Sequence, residues 1–378
     1  MRVLALLTDC FGGRGGIAQY NRDFVTALSL SQDVTEVVLL PRLGKAIDEA
    51  VPDKVKQLAP VASRLRYAAN AAEVALRRGP FDVVFCGHLS HAPLAAGLAR
   101  LLGKPMWLQV HGVDAWERPS RLLQAGLEHA DLVTAVSRYT RQRILQWAHI
   151  DPQKIKVLPN TLRFPIRSRD QDASLPDGLP FAGKPYLLTV ARIEKADAYK
   201  GHRRVIGVLG RVRERHPDLQ YVITGDGNDR GGLEALVAGA GLDDCVHFLG
   251  HVPTEVLERL LAAASAFVMP STKEGFGIVF LEAAAYGLPV IAGNVDGSVD
   301  ALADGAIGLL VDPADPNALF EAISTAVSGR APAPDKAALA RFAAPNFQAH
   351  VHALLSTLPA ARGRKPRNAP SSTVVEPA

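Results

Sequence analysis

Short apolar segments alternate with stretches of helical period along nearly the whole chain. In the first half the strand-like segments are RVLALLT (2–8), DVTEVVLL (33–40), DVVFCG (82–87), PMWLQVHG (105–112), DLVTAV (131–136) and KIKVLPN (154–160). Amphipathic stretches lie between them, including residues 16–30, 62–78 and 138–147. Strands that are apolar throughout and separated by helices are typical of parallel sheets covered on both faces, so this half predicts a doubly wound α/β domain.

The alternation stops at residues 163–185, a segment rich in proline, glycine and charge that is typical of a linker. It resumes with YLLTVA (186–191), LQYVITG (219–225), CVHFLG (245–250), AFVMP (266–270), LPVIAG (288–293) and IGLLVDP (307–313). We therefore expect two Rossmann-like domains that face each other across a ligand-binding cleft. The predicted parts are an N-terminal domain at 1–165, a linker at 166–184, a C-terminal domain at 185–335, a closing helical region at 336–358 and a disordered tail at 359–378.

The composition excludes several classes of protein. No apolar run approaches the roughly 18 residues of a membrane-spanning helix, and the apolar start of the chain runs straight into glycines, as a first strand would. The cysteines Cys10, Cys86 and Cys245 are odd in number and far apart. They predict reduced thiols in the cytoplasm, with neither a disulfide framework nor a zinc site.

The net charge of +4 conceals an uneven distribution. Residues 1–180 hold 23 basic and 17 acidic side chains, whereas residues 181–361 hold 15 and 20. Basic charge with interleaved aromatic residues is missing, so nucleic-acid binding is not expected. Six cations of the first half surround one predicted helix: Lys54, Lys56, Arg64, Arg66, Arg77 and Arg78.

That helix has an apolar stripe of mostly small side chains, formed by Val61, Leu65, Ala68, Ala69, Ala72 and Leu76. Basic residues beside an apolar stripe make it a candidate for peripheral binding to an anionic membrane surface. A solvated helix face on an enzyme with a soluble acceptor is the alternative.

Four glycines in TDCFGGRGGIAQYNRDF (8–24) lie between the first strand and the first helix. Glycine lets the backbone approach an anion closely, and a helix N-terminus adds free N–H donors and a partial positive charge. Gly15 and Gly16 are therefore candidate phosphate-binding positions, with a plain turn as the alternative. The loop lacks the Lys-Ser/Thr of a P-loop and the spacing of G-x-G-x-x-G, which disfavours ATP hydrolysis and NAD binding.

Polar side chains end one strand in each half. His111 ends the strand in QVHGVDAWE (109–117), and Arg192 ends the strand in LTVARIEKADAYKGHRRVI (188–206), where Lys200 then precedes Gly201 and a helix. Ligands of such sheets bind at the carboxyl ends of the strands. A guanidinium fork and a flexible amine beside a helix start suit a diphosphate. The alternatives are a structural histidine and cations that pair with surface carboxylates.

Glu274 and Glu282 bracket a small apolar run in MPSTKEGFGIVFLEAAAYGLPVIAG. A helix is expected to begin near Gly277 or Ile278, which places Glu274 in the loop after a strand and Glu282 about one turn inside the helix. The N–H groups at the helix start are those of Phe276, Gly277 and Ile278. This order matches the sugar hydroxyls, diphosphate and ribose hydroxyls of a nucleotide sugar. Interaction with the helix dipole is the alternative, and it accounts for only one glutamate.

These residues resemble a retaining glycosyltransferase of the GT-B architecture, in the large family 4 of glycosyltransferases. The likeness rests on a Glu-x7-Glu signature formed by Glu274-Gly275-Phe276-Gly277 and Leu281-Glu282-Ala283, with Pro270-Ser271 before it and Gly287-Leu288-Pro289-Val290-Ile291-Ala292 after it. It extends to Gly12-Gly13-x-Gly15-Gly16, His111-Gly112, Pro159-Asn160, Arg192, Lys200-Gly201, Gly225-Asp226-Gly227 and Leu249-Gly250. It spans residues 1–357.

The resemblance implies roles for individual residues. Arg192 and Lys200 would bind the donor diphosphate, Glu282 the ribose, and Glu274 and His111 would lie beside the transferred sugar. The base would lie against the segment around residues 249–252. The implied catalytic residues are His111, Glu274, Arg192 and Lys200, and the implied donor-binding residues are Gly15, Gly16, Arg192, Lys200, Gly225, Leu249, Phe276, Gly277, Ile278 and Glu282.

Two positions depart from the family pattern. Many members place the lysine five residues after the arginine, whereas the gap from Arg192 to Lys200 is eight. We choose Lys200 over Lys195 because a glycine and a helix follow it. Asp300 stands where the family often has a glutamate, and no role is assigned to it.

No metal or other cofactor is expected. The nearest Asp-x-Asp, Asp170-Gln171-Asp172, follows no strand and is interpreted as solvated linker. Arg192, Lys200 and helix dipoles would then offset the charge of the leaving diphosphate.

The sequence and the resemblance predict a cytoplasmic enzyme, peripheral on the inner face of a membrane. It would move a hexose of the mannose or glucose type from a UDP- or GDP-sugar to a hydroxyl of a glycan or lipid-linked acceptor, with retention. The implied route is a front-face displacement that needs no protein nucleophile. The alternatives are a nucleotide-sugar-binding scaffold and a GT-B epimerase or phosphorylase.

Overall fold

A computed structural model describes residues 1–13, 15–44, 50–168, 175 and 178–359. The Asp170-Gln171-Asp172 motif, much of the predicted linker and all but the first residue of the predicted tail lie outside the described residues. The described residues form two parallel β-sheets, each with helices on both faces. This is the arrangement of two Rossmann-like α/β domains that the sequence predicts.

The first sheet comprises β1 (Arg2–Leu7), β2 (Glu36–Pro41), β3 (Val55–Gln57), β4 (Val83–Cys86), β5 (Met106–Val110), β6 (Leu132–Ala135) and β7 (Ile155–Val157). Its strand order is β3-β2-β1-β4-β5-β6-β7. Its helices are α1 (Gly16–Leu30), α2 (Arg64–Arg77), α3 (Ala92–Leu102), α4 (Arg121–Glu128) and α5 (Arg138–Leu145). The central strands are buried on both faces, which is why they read as continuous apolar runs.

The second sheet comprises β8 (Tyr186–Val190), β9 (Gln220–Thr224), β10 (Val246–Gly250), β11 (Ala266–Met269), β12 (Val290–Gly293) and β13 (Leu309–Val311). Its strand order is β10-β9-β8-β11-β12-β13. Its helices are α6 (His202–Arg215), α7 (Arg230–Gly239), α8 (Thr254–Ala263), α9 (Ile278–Ala285), α10 (Ser298–Ala301) and α11 (Pro316–Val327). The segment after it contains α12 (Lys336–Ala340) and α13 (Ala344–Ser356).

Each sheet has one point at which the strand order reverses, and this point locates a ligand site. The reversal lies between β1 and β4 in the first sheet and between β8 and β11 in the second. In open α/β sheets a crevice forms at the carboxyl ends of the two strands that flank such a reversal. The glycine loop follows β1, Arg192 follows β8 and Glu274 follows β11, so three of the predicted site segments lie at these crevices.

All the predicted strands are present, and one strand escaped prediction. β3 pairs with β2 at the edge of the first sheet and is three residues long. Its sequence, Val-Lys-Gln, contains one apolar residue and therefore has no detectable period. The three predicted helices of the first half correspond to α1, α2 and α5.

The final helix returns to the first domain. α13 packs on α1, where the ring of Phe347 meets the ring of Tyr20 edge-on at 5.9 Å and His352 Nε2 lies 2.7 Å from the carbonyl oxygen of Ala27. Its buried apolar residues include Val351 and belong to a core cluster that runs through both domains. The two halves are thus joined by packing as well as by the linker.

None of the described helices is both long enough and apolar enough to cross a membrane.

Candidate active site

The segments that follow β8 and β11 are called here the cleft edge of the second domain. Lys200 and Glu274 form a partly buried ion pair on it. Lys200 Nζ lies 2.5 Å from Glu274 Oε2, and the side chains are only 15% and 14% exposed. Gly201 follows the lysine with φ of 91°, and a Cβ there would lie 2.6 Å from the carbonyl oxygen of Pro270. The chain at Lys200 is therefore pressed against the end of β11, which directs the ammonium group to the loop that carries Glu274.

Arg192 lies at the end of β8 with its side chain 72% exposed. Nη2 is 3.0 Å from Oδ2 of the buried Asp197, whose other oxygen accepts a hydrogen bond of 2.9 Å from the Tyr199 hydroxyl. Asp197 thus anchors the arginine at one end and leaves most of its fork open to the cleft.

Lys195, the lysine not chosen from the sequence, is exposed. The contact that the structure gives it is through the backbone, whose N–H group donates to Asn228 Oδ1 at 2.8 Å. The ion pair with Glu274 belongs to Lys200. The geometry favours Lys200 for a role at the site, and that role stays a prediction.

Asp296 holds the Glu274 loop and escaped the sequence analysis. Its Oδ2 accepts a hydrogen bond of 2.6 Å from the Glu274 N–H group, and its Oδ1 accepts one of 2.9 Å from the Ser298 N–H group. The Gly297 N–H group donates to the Glu274 carbonyl oxygen at 2.9 Å. Burial raises the pKa of Asp296 to about 6. An aspartate just past the end of β12 was the available signal, but its partner lies 22 residues away in the sequence.

The helix start expected near residue 277 is confirmed, because α9 begins at Ile278 with Gly277 as its N-cap at φ of 91°. The Phe276 side chain is buried and packs edge-on against Phe342 at 5.6 Å, so only its backbone remains for a ligand. Glu282 is buried one turn into the helix, 3.5 Å from Arg163 Nη1. Burial raises the pKa of Glu282, and the Arg163 charge opposes that shift.

Asp23, on α1, is a second carboxylate near Glu282. Burial raises its pKa to about 6, and the Glu282 charge adds to that shift, whereas Arg163 opposes it. The Asp23 Oδ1 atom also accepts a hydrogen bond of 2.8 Å from Gln19 Nε2. One carboxylate from each domain therefore lies near Arg163.

His111 is the side chain of the first domain that was predicted to lie at the site. Its Nε2 lies 2.8 Å from the Gly87 carbonyl oxygen, so Nε2 carries the proton, and its ring meets Tyr20 edge-on at 5.1 Å. Burial, followed by the neighbouring His88, lowers the pKa of His111 to about 3. The imidazole is therefore neutral at physiological pH and can donate or accept hydrogen bonds without adding charge.

The two cleft edges touch at glycines. A Cβ on Gly112 would lie 2.5 Å from Gly275 Cα, and a Cβ on Gly275 would lie 2.1 Å from the His111 carbonyl oxygen. Glycine at both positions is what allows the His111 and Glu274 segments to meet.

An ion-pair bridge lies beside this contact and gives Asp300 a role that the sequence did not suggest. Arg138 Nε is 2.7 Å from Asp300 Oδ1, and its Nη2 is 2.6 Å from Asp304 Oδ1. The Arg138 backbone N–H group also donates to Asp300 at 3.1 Å. One arginine of the first domain thus links two aspartates of the second.

The remaining candidate positions lie at carboxyl ends of strands. Gly15 caps α1 with φ of 91°, and a Cβ added to Gly15 or to Gly16 would meet no atom of the described residues within 4 Å. Gly225 follows β9, where a Cβ would lie 1.9 Å from the Ala191 carbonyl oxygen, and its N–H group donates to Gly250 at 2.7 Å. Leu249 is half-buried at the end of β10 beside it.

Among residues 1–13, 15–44, 50–168, 175 and 178–359, no group of three or more His, Cys, Asp or Glu side chains is arranged to hold a metal ion. The expectation of a metal-independent site therefore stays a prediction.

Two family sequence models match the chain, one in each half. Residues 14–162 match "Glycosyltransferase Family 4", and residues 170–342 match "Glycosyl transferases group 1".

Relatives match over most of their length. A GDP-mannose-dependent alpha-(1-6)-phosphatidylinositol monomannoside mannosyltransferase of Mycobacterium tuberculosis is 30% identical over 348 residues, covering 85% of this chain and 88% of that protein. The protein of the same description from Mycolicibacterium smegmatis is 29% identical over 355 residues, covering 89% and 91%.

Solved structures share the fold. A lipopolysaccharide outer core galactosyltransferase, WaaB, superposes with a TM-score of 0.72 at 19% identity, covering 95% of this chain and all of that one. The HepE protein of Anabaena in complex with UDP and glucose gives 0.71 at 21% identity, covering 94% and 99%.

Proposed function

This chain belongs to family 4 of the glycosyltransferases, and from this we propose that it transfers a hexose from a nucleoside diphosphate sugar to an acceptor hydroxyl with retention of anomeric configuration. The observation that carries the proposal is the Lys200–Glu274 pair, held at the mouth of the crevice between β8 and β11. A cation for the diphosphate and a carboxylate for sugar hydroxyls are thereby fixed 2.5 Å apart.

In the proposed reaction, Arg192 and Lys200 bind the diphosphate, together with the free N–H groups at the α1 N-terminus. The bond from the anomeric carbon to the β-phosphate oxygen breaks, and its electron pair leaves on that oxygen. The acceptor oxygen forms its bond to the anomeric carbon from the same face. Its proton passes to the departing phosphate, so no protein nucleophile is needed.

The cations act on the charge that develops in this step. As the glycosidic bond breaks, negative charge accumulates on the leaving diphosphate, and preorganised donors stabilise such charge without reorganisation. Lys200 is preorganised by Glu274 and Gly201, and Arg192 by Asp197. We propose that these groups suffice without a metal ion. Activity that survives EDTA supports this, and activity lost to EDTA and restored by Mg²⁺ contradicts it.

For the donor, we propose GDP-mannose ahead of UDP-glucose. The relatives that match most of their own length are described as GDP-mannose-dependent. The test is a panel of GDP-mannose, UDP-glucose, UDP-galactose and ADP-glucose, with release of nucleoside diphosphate as the readout. Turnover with none of the four contradicts the transferase assignment and favours the nucleotide-sugar-binding scaffold. A changed sugar nucleotide with no diphosphate released favours an epimerase, and orthophosphate-dependent release of a sugar phosphate from a glycan favours a phosphorylase.

For the acceptor, we propose a lipid-linked glycan precursor at the cytoplasmic face of a membrane. The α2 helix supports this, because it buries Tyr67, Ala71, Val74 and Ala75 and leaves Leu65 85% exposed and Leu76 64% exposed. Arg64, Arg66, Arg77 and Arg78 surround these leucines and are exposed. Each basic residue near an anionic leaflet contributes about 1 kcal/mol, so these arginines can hold the enzyme at the surface, with the contribution of Arg77 reduced by its ion pair with Glu73 at 2.9 Å.

Two of the six cations predicted to join this surface do not. Lys56 lies on β3 and pairs with Glu36 at 2.6 Å, and Lys54 donates to the Ser31 carbonyl oxygen at 2.7 Å. The apolar stripe is also narrower than predicted, since Val61 and Ala72 are half-buried against the core. The proposed docking surface is therefore formed by Arg64, Leu65, Arg66, Leu76, Arg77 and Arg78.

Liposome flotation tests the docking surface. Wild-type protein should float with vesicles containing anionic lipid at low salt and be released at high salt. Replacing Arg66 and Arg77 by glutamine should weaken binding, whereas the same change at Arg211 and Arg215 of α6 should not. No flotation at low salt contradicts membrane docking and favours a soluble acceptor. The acceptor panel is phosphatidylinositol monomannoside in vesicles, the compound named in the descriptions of the two mannosyltransferase relatives, and D-inositol 3-phosphate as a soluble polyol phosphate.

A further inference from the structure

A histidine and an aspartate outside the predicted site lie together on the first domain. His88 follows β4 and Asp114 lies in the short turn Val113–Ala115 that follows β5. His88 Nε2 and Asp114 Oδ2 are 3.8 Å apart, and the two side chains are 19% and 16% exposed. Their strands are neighbours in the sheet, so both side chains belong to the cleft edge that also carries His111.

The hydrogen bonds of His88 fix where its proton lies. Nδ1 accepts a hydrogen bond of 3.1 Å from the Ser90 backbone N–H group and lies 2.9 Å from the Ser90 hydroxyl. A ring nitrogen that accepts from an N–H group carries no proton, so in the neutral ring the proton is on Nε2. The N–H donor of His88 is therefore the atom that faces Asp114.

Asp114 supplies the hydrogen-bond acceptor of the pair. Its Oδ2 is buried and has no hydrogen-bond partner among the described residues. Burial raises the pKa of this carboxyl, whereas His88 and backbone hydrogen bonds at residues 111–114 lower it. An acceptor left without a donor in a polar cleft is costly, and the cost is removed when a ligand or a water supplies the missing hydrogen.

The distance between the two atoms selects the ligand. At 3.8 Å they are too far apart for a direct hydrogen bond, and Oδ2 is closed to solvent, so an oxygen can lie about 2.8 Å from both once the Asp114 side chain turns toward the cleft. That oxygen must accept from Nε2 and donate to Oδ2. A hydroxyl group does both, whereas a carbonyl, a carboxylate or an ammonium group does only one.

We propose that His88 and Asp114 bind a hydroxyl group of the acceptor, a polyol or a sugar. The assignment rests on the proposed function. The pair belongs to the first domain, whereas the charged groups proposed for the donor belong to the second. The His88 and His111 rings stack with centroids 6.1 Å apart, and the His111 segment touches the Glu274 loop through Gly112 and Gly275. The bound hydroxyl would lie on the acceptor's side of the transferred sugar.

Acceptor kinetics test the pair. Asp114→Asn replaces the carboxylate acceptor by an amide, which accepts more weakly or presents an N–H group. His88→Gln replaces the Nε2 donor by a side chain that does not reach as far. Each change should raise the KM for the acceptor that the wild-type enzyme uses, from phosphatidylinositol monomannoside or D-inositol 3-phosphate, by about 10- to 100-fold. The double variant should be little worse than the worse single variant, because both side chains contact one hydroxyl. The dissociation constant for GDP should stay within a factor of two.

Matched controls are His149→Gln and Asp53→Asn, two exposed residues of the same domain, which should leave the acceptor KM unchanged. Wild-type transfer to neither acceptor overturns the proposed function and this inference with it. Wild-type transfer with an unchanged acceptor KM in both variants overturns this inference alone and leaves water as the occupant. A rise in the donor KM with no rise in the acceptor KM overturns it in favour of a donor contact. Thermal unfolding of each variant separates these outcomes from loss of the fold.

Discussion

The two edges that face each other across the cleft carry different kinds of group. On the second domain, Lys200, Glu274 and Arg192 are charged, and each is held by a partner of opposite charge. On the first domain, the α1 N-terminus presents backbone N–H groups and His111 is a buried neutral imidazole. One edge is built to bind charge, and the other to donate and accept hydrogen bonds.

The local charges run against the net charges of the two halves. Residues 1–180 have 23 basic and 17 acidic side chains, yet the two cations proposed to bind the diphosphate, Arg192 and Lys200, come from the half with 15 and 20. The basic residues of the first half lie elsewhere, as on the exposed face of α2. Net charge therefore describes the outer surface of a domain, and a few positioned side chains determine the character of its site.

Removing a cation from the cleft edge of the second domain should have the largest effect on activity. We expect Lys200→Ala and Arg192→Ala each to lower kcat by about 10²- to 10³-fold, the effect of losing one preorganised donor to the leaving group. Steady-state kinetics with the accepted donor measure this. Lys195→Ala is the matched control and should retain nearly full activity, and an essential Lys195 would show that the wrong lysine is assigned.

The two glutamates should affect different kinetic constants, because Glu274 lies beside Lys200 and Glu282 is buried one turn into α9 beside Arg163. Glu274→Ala should lower kcat by about 10- to 100-fold with little change in donor KM, since its contacts change as the sugar reacts. Glu282→Ala should raise the donor KM with a smaller change in kcat, since the contact with the ribose predicted for Glu282 would be the same before and during reaction. If both variants alter KM alone, Glu274 is a binding residue only.

Asp296 provides a pH-dependent way to disturb the charged edge. Its ionised carboxylate accepts from the N–H groups of Glu274 and Ser298, and a protonated oxygen accepts poorly. With a pKa of about 6, kcat should fall as the pH drops below this value. Asp296→Asn should lower kcat roughly 10-fold at neutral pH and flatten the acid limb. Asp244→Asn, a change at an exposed carboxylate far from this loop, is the control and should leave the acid limb in place.

The raised pKa of Asp296 has the opposite effect on stability, which it lowers as the pH rises. Its pKa is about 6 in the fold against 3.8 for an ordinary aspartate, so between these values the folded state binds more protons than the unfolded state. Its contribution to the free energy of unfolding therefore falls as the pH rises from about 4 to about 6 and is constant above that. Urea unfolding of the wild type and of Asp296→Asn across this range measures the difference, and parallel curves would contradict the assignment.

The smallest effect is expected where the two edges are bridged. Arg138→Gln removes both ion pairs to Asp300 and Asp304, and exposed pairs contribute at most about 1 kcal/mol. We expect kcat/KM to fall by about two- to fivefold, with the loss growing smaller at high salt. Arg213→Gln, which removes an exposed pair with Asp244 inside the second domain, should leave kcat/KM unchanged. Equal effects of the two changes would mean that the bridge between the domains has no specific influence on activity.

Much of the architecture could be predicted because local chemistry determines it. The strands of both sheets read as apolar runs because both of their faces are buried, and α9 begins at Ile278 because a glycine with positive φ precedes an apolar helix. β3 could not be predicted, since its pairing with β2 depends on position at a sheet edge and its own sequence has no period.

The site was predictable only in part. Lys200 could be chosen over Lys195 from the glycine and helix that follow it, and the structure places Lys200 against Glu274. Asp296 and the Arg138 bridge depend on segments that meet only after folding, with 22 residues between Asp296 and Glu274 and 162 between Arg138 and Asp300. Such partners have no signal in one sequence, because neither residue indicates which distant segment it will meet.

The return of α13 to α1 also sets the order in which the molecule can be completed during synthesis. His352 contacts the carbonyl oxygen of Ala27, and it is translated 325 residues after Ala27. At about 5–20 residues per second, translation needs on the order of tens of seconds to cover that distance. During this time the α1 surface that will hold Phe347 is uncovered on the nascent chain. The domain that is made first is therefore finished last, by residues translated after the whole second sheet.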